Sequence, residues 1–142
     1  MRYKGVFFDL DGTLLSLDLD EFINMYFQAL ARKVSPYVES KFFLQILLAS
    51  VEIMLNNDGT NTNEQIFLEA FFQRLDQEPE QFMLLFDDFY CNEFPALGEG
   101  IEPVPEARRA LEIAEASGAQ VILATNPVFP RNAVITRLEW AG

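Results

Sequence analysis

The chain has 142 residues, 50% hydrophobic and 23% charged, which supports one packed domain and argues against wholesale disorder. Acidic residues outnumber basic ones 22 to 10, for a net charge of −12, so the basic face that a nucleic-acid partner requires is missing. With no histidine and one cysteine, Cys91, the chain excludes Ser-His-Asp and Cys-His catalysis, histidine-bound metals, Cys-rich zinc sites and an intrachain disulfide.

In chain order, residues 4–9 (KGVFFD) form a short aromatic and β-branched run that predicts a buried strand ending at an aspartate. Asp9 cuts this apolar run too early for a secretory leader. From residue 17 to about 94 the pattern turns helical. Leu19, Phe22, Ile23, Tyr26, Phe27, Leu30 and Val34 keep i, i+3, i+4 spacing up to Ser35-Pro36. A second helix over roughly 38–56 holds the most hydrophobic stretch, 42–55. That stretch contains Gln45, Ser50 and Glu52 and falls short of the roughly 20 apolar residues a membrane span needs. Thr62 and Gln65 resemble a capping box opening a third helix through Leu75, and Pro79 suits the first turn of a fourth.

The Pro- and Gly-rich stretch 94–105 reads as a connection between modules. Pro105 opens the next helix and Gly118 closes it. AQVILAT (119–125) is a second strand, its unbroken apolar residues suggesting burial on both faces, and a last helix covers about 130–140. These elements divide the chain into an α/β core, 1–16 with 98–142, and a helical unit, 17–97. Eleven of the 14 phenylalanines lie between residues 22 and 94. Their spacing serves helix packing, with an apolar substrate pocket as the sharper alternative.

Chemistry concentrates at the strand ends. Asp9 and Asp11 stand two apart, which in a continuing strand would put both carboxylates on one face, and Gly12 permits a bend there. Paired carboxylates suit Mg²⁺, a hard cation that takes one or two carboxylates, waters and substrate phosphate. They also suit covalent catalysis, one acid attacking phosphorus and its neighbour moving protons. A right-handed crossover between parallel strands would bring residues 9–11 and 125–126 to one sheet edge.

FFDLDGTLL (7–15) resembles the first signature motif of the haloacid dehalogenase-like hydrolases, and VILATNP (121–127) resembles their second. The resemblance runs along the whole chain: motif, helical insertion, linker, helix, second motif. It implies an incomplete Rossmann-like core of about two parallel strands with an all-helical cap. It further implies that Asp9 is the nucleophile forming an aspartyl-phosphate and Asp11 the general acid/base. The Asp9 carboxylate and the Asp11 backbone carbonyl would bind Mg²⁺. Thr125, with Asn126 beside it, would hold the phosphoryl group, and Arg131 is a weaker candidate for substrate contact. An acid at position 11 is the phosphatase pattern of the family. An alkoxide leaving group needs a proton, whereas halide departure needs none.

The chain departs from the family pattern after the second motif. Family members supply a later lysine and an acidic pair, whereas Lys4, Lys33 and Lys41 all precede Thr125. Two strands also make a poor sheet. The expectation is therefore a fragment of a longer cytoplasmic Mg²⁺-dependent phosphatase acting on a small phosphorylated metabolite, with little activity of its own. The alternatives are a C–halogen dehalogenase and a non-catalytic helix-rich module that pairs with a second copy or another protein.

Overall fold

The computed structural model describes residues 3–142; Met1 and Arg2, the start of the expected core segment, lie outside the described residues. The chain is α/β: a parallel two-stranded sheet interrupted by an all-helical insertion. Strand β1 (Gly5–Phe8) pairs with β4 (Gln120–Leu123) in the register Gly5↔Gln120 to Phe8↔Leu123. Between them come β2 (Leu15–Ser16), the helices α1 (Leu19–Val34), α2 (Ser40–Leu55), α3 (Asn63–Phe72) and α4 (Pro79–Asp88), then β3 (Glu102–Pro103) and α5 (Ala107–Ala116). The last element is α6 (Arg131–Trp140).

Local sequence explains the helix ends. Asp18 caps α1, its Oδ1 accepting the Glu21 N–H at 3.0 Å, while Asp20 and Glu21 in the first turn and Arg32 and Lys33 in the last complement the helix dipole. Thr62 and Gln65 form the reciprocal capping box of α3, and Pro79 occupies the first turn of α4. Helix α3 stops at Phe72, three residues before the expected Leu75, with its last turn loosened into bonds from Arg74 and Leu75 to the Phe71 carbonyl. Helix α4 continues into a π-helical turn, Phe89–Glu93, and a 3₁₀ turn, Phe94–Gly98, so the expected connection begins with ordered backbone. Gly118 takes φ +73° and closes α5.

Helices α1 to α4 enclose an aromatic core in which Phe22, Phe43, Phe71, Phe82, Phe89 and Phe94 are at most 1% exposed. Burying each such ring stabilises the fold by about 1.5–3 kcal/mol. A smaller cluster of Leu10, Leu14, Leu15 and Ala107 lies beneath the sheet end. Trp140 packs against both clusters, stacking on Phe94 at 5.4 Å between ring centroids and thereby tying α6 to the helical layer.

The sequence pattern did not reveal the short antiparallel pair β2–β3, in which Leu15 faces Pro103 and Ser16 faces Glu102. This pair draws together the entry and exit of the insertion. The expectation of strands buried on both faces is corrected: Phe7 is 67% and Val121 39% exposed. Among the described residues the parallel sheet has only two strands, and α5 packs against β4.

Candidate active site

Parallel pairing sets the site. Phe8 is opposite Leu123, and the Ala124 N–H donates to the Phe8 carbonyl at 2.7 Å. Asp9 and Thr125 therefore leave the sheet at the same C-terminal edge, where open α/β sheets bind ligands. Asp9 is exposed and makes no hydrogen bond or ion pair among the described residues. Thr125 is half-buried and Asn126 exposed, with the Asn126 carbonyl accepting from Val128 N–H at 2.9 Å.

The strand does not continue through Asp11, which corrects the picture of two carboxylates alternating on one strand face. Leu10 is fully buried, and its carbonyl accepts the N–H groups of Thr13, Leu14 and Leu15, folding residues 10–15 into a tight loop. Gly12 adopts φ +75° within that loop, a conformation that suits glycine. The two acids consequently sit in unlike surroundings: Asp9 faces solvent, and Asp11 turns inward.

Asp11 meets a group that the sequence pattern had not singled out. Its Oδ2 accepts a hydrogen bond from Arg137 Nη1 at 2.6 Å, and the Arg137 side chain is fully buried. The guanidinium also lies over the Phe129 ring, 4.3 Å from its centroid. Asp11 Oδ1 and Arg137 Nε and Nη2 are buried without hydrogen-bond partners. Burial pushes the Asp11 carboxyl above its ordinary value; the charge and hydrogen bond of Arg137 oppose that rise, and the nearby Asp9 charge adds to it. Sequence carried no signal for Arg137: it shares the buried side of α6 with Ala133, but the apolar residues of that helix are not gathered on one face.

Among the described residues no group of three or more His, Cys, Asp or Glu side chains is placed to hold a metal ion. The smaller set at the sheet edge is nonetheless compatible with Mg²⁺, which needs only one or two carboxylates beside water and phosphate. Asp9 offers free, solvent-facing oxygens, and its charge reaches Asp11. No helix among the described residues is long and apolar enough to cross a membrane.

A family model for hydrolases of the haloacid dehalogenase-like type matches residues 3–141. No curated protein and no solved structure matches the chain.

Proposed function

Because the chain belongs to the haloacid dehalogenase-like hydrolases, we propose that it is a phosphomonoester hydrolase working through an aspartyl-phosphate on Asp9. The observation that carries this reading is the pairing of β1 and β4, which puts an unengaged carboxylate, Asp9, at the same edge as Thr125 and Asn126. An Asp9 oxygen attacks phosphorus as the bond to the alcohol oxygen breaks, and Asp11 gives the departing oxygen its proton. Water then attacks the phosphoryl group, returns a proton to Asp11, and frees Asp9 with inorganic phosphate. Of the two Asp11 oxygens Oδ1 is left to carry the proton, since Oδ2 accepts from Arg137, and because Oδ1 is buried the carboxyl would have to turn toward the edge to deliver it.

Asp9 and the Asp11 main-chain carbonyl would hold Mg²⁺, which when bound offsets the negative charge of the carboxylates and phosphate. Thr125 and Asn126 would steady the phosphoryl oxygens. The helices of residues 17–97 would act as a cap over this edge, and a lone exposed thiol, Cys91, fits a cytoplasmic protein. Halide removal is disfavoured because it would leave Asp11 without a task. A second reading, association of two copies, is favoured by Phe7, 67% exposed on one face of the two-stranded sheet; sedimentation of a clean monomer would remove it.

The test is Mg²⁺-dependent release of p-nitrophenol from its phosphate ester, together with Mg²⁺-dependent binding of beryllium trifluoride, an acyl-phosphate mimic, followed by fluorine NMR. Asp9→Asn should abolish both signals, whereas Asp11→Asn should lose most turnover and keep the fluoride complex. Equal signals from the parent and Asp9→Asn would refute the mechanism.

A further inference from the structure

A cavity of ≈ 790 Å³ opens between helices α1 to α4 and the loop that follows β4. Its volume falls in the range of small-molecule sites, roughly 300–1,000 Å³. Phe27, Leu47, Met54, Phe67, Met83 and Phe129 supply much of its wall. The two methionines are flexible and polarisable, which lets such a wall adapt to an aliphatic guest.

Several polar groups on this wall are already engaged with one another. Tyr26 and Tyr90 share a buried hydroxyl–hydroxyl bond of 2.7 Å. Asn57 Nδ2 donates to the Asn61 carbonyl and to Asn63 Oδ1, and its Oδ1 accepts from Gly59 N–H. Asn63 Nδ2 donates to the Pro127 carbonyl at 3.1 Å, fastening α3 to the loop after the second motif. The Thr62 hydroxyl accepts from Gln65 N–H in the α3 cap. Most of the wall is apolar, so a sugar or other polyol would bury most of its hydroxyls against carbon, which opposes binding. An aliphatic body has none to bury.

Three charged lining groups are left over. Arg131 is the only cation on the wall and, like Glu64 and Asp87 there, has no hydrogen bond or ion pair among the described residues. It stands in the first turn of α6, six residues after Thr125. The wall residue Phe129 carries the Arg137 guanidinium on its face, and Arg137 in turn binds Asp11. Asp9, Asp11, Thr125 and Asn126 do not line the cavity; its Arg131 and Phe129 end is linked to them through α6 and Arg137.

We propose that this cavity receives the aliphatic body of an amphiphilic phosphomonoester, with the phosphate end at Arg131 and the edge bearing Asp9. The assignment names the substrate class and rests on the phosphatase reading above. The bulky apolar part is then the alcohol released when the phosphate ester is cleaved.

Calorimetric binding of butyl, hexyl, octyl and decyl phosphate, each below its micelle concentration, tests it with the chain in EDTA, so that neither Mg²⁺ nor turnover enters. Affinity should rise about fourfold per methylene until the cavity is full. Octanol should bind in the same cavity, with Arg131→Gln weakening octyl phosphate several-fold and leaving octanol unchanged. Val51→Trp and Leu47→Phe, both filling the cavity, should abolish the chain-length dependence while keeping the helical circular dichroism. If both variants unfold, the chain-length series and Arg131→Gln still decide. An affinity independent of chain length, or glucose 6-phosphate binding as tightly as octyl phosphate, would overturn the proposal. Loss of Asp9-dependent fluoride binding with the chain-length effect intact would instead refute the phosphatase reading and leave an alkyl-anion site.

Discussion

Replacing Arg137 with methionine separates the several forces acting on one buried cation. The substitution keeps most of the side-chain volume and removes the charge. Severing a fully buried ion pair costs about 3–5 kcal/mol, chiefly because one charge is left uncompensated. Asp11 retains 21% side-chain exposure, so water relieves part of that burden, and about 2–3 kcal/mol is the appropriate share. Losing the cation from the face of Phe129 adds about 1 kcal/mol. Against this, methionine removes Nε and Nη2, two buried donors without partners, and relieves about 1–2 kcal/mol. The net expectation is a destabilisation of about 2 kcal/mol.

Urea unfolding at neutral pH in the presence of a chelator measures this. The midpoint should fall by about 1 M at an unchanged slope, given typical slopes of about 1–3 kcal/mol per molar. Asp11→Asn in the Arg137→Met background should recover at least about 1 kcal/mol, since the stranded carboxylate is then gone. Strict additivity of the two changes, within about 0.5 kcal/mol, would show that the ion pair carries no coupling and would refute the reasoning.

Two further perturbations follow from the aromatic core. Burial pushes the Tyr26 phenol up to about 12 and raises that of Tyr90 well above its ordinary value. Both groups therefore contribute stability that is present below pH 10 and lost as pH climbs through the folded values, about 3 kcal/mol for the two-unit rise of Tyr26. Tyr26→Phe/Tyr90→Phe should be close to neutral at pH 7, because no hydroxyl is left unpaired, and should flatten the decline in urea midpoint between pH 10 and 12; an unaltered decline would refute the assignment. Lys33, held above its ordinary value by hydrogen bonds to Asp88 and Glu93, declines in the same window and cancels in the comparison with the parent. At Gly98, an added Cβ would overlap the Trp140 indole. Gly98→Ala should therefore cost about 1–3 kcal/mol, and Trp140→Leu should restore much of it; a neutral Gly98→Ala would mean that α6 does not seat against the 3₁₀ turn as described.

The residues that could be recognised in the sequence are those whose chemistry is local. The Thr62–Gln65 box, Pro79 in the first turn of α4 and the stop at Ser35 each act within one helical turn, and all three hold in the structure. Asp9 and Thr125 were legible as strand-end residues, and their shared edge followed from the handedness of the crossover rather than from any pairwise signal. The β2–β3 pair escaped notice because two-residue strands carry no periodicity, and their pairing depends on a contact across the whole insertion. The burial of the strands was overestimated for a related reason: an apolar run shows that a face can be covered, and only the neighbouring elements decide whether it is.

Arg137 lies beyond what periodicity conveys. The apolar residues of α6 mark no inward stripe, and an arginine there reads as a snorkelling surface residue whose stem alone is buried. The difference comes from the loop of residues 10–15, whose carbonyl at Leu10 gathers three amides and turns Asp11 toward the helix. An inward-facing carboxylate makes an inward-facing guanidinium tolerable, and each is costly without the other. That reciprocity links the two motifs physically: the acid assigned to proton transfer is positioned by the helix that follows the second motif. The same helix begins at Arg131, the unpaired cation of the apolar cavity. On the proposed reading, a phosphate drawn to Arg131 would bear on the element that also orients Asp11, so that phosphate recognition and proton delivery would share one ten-residue helix.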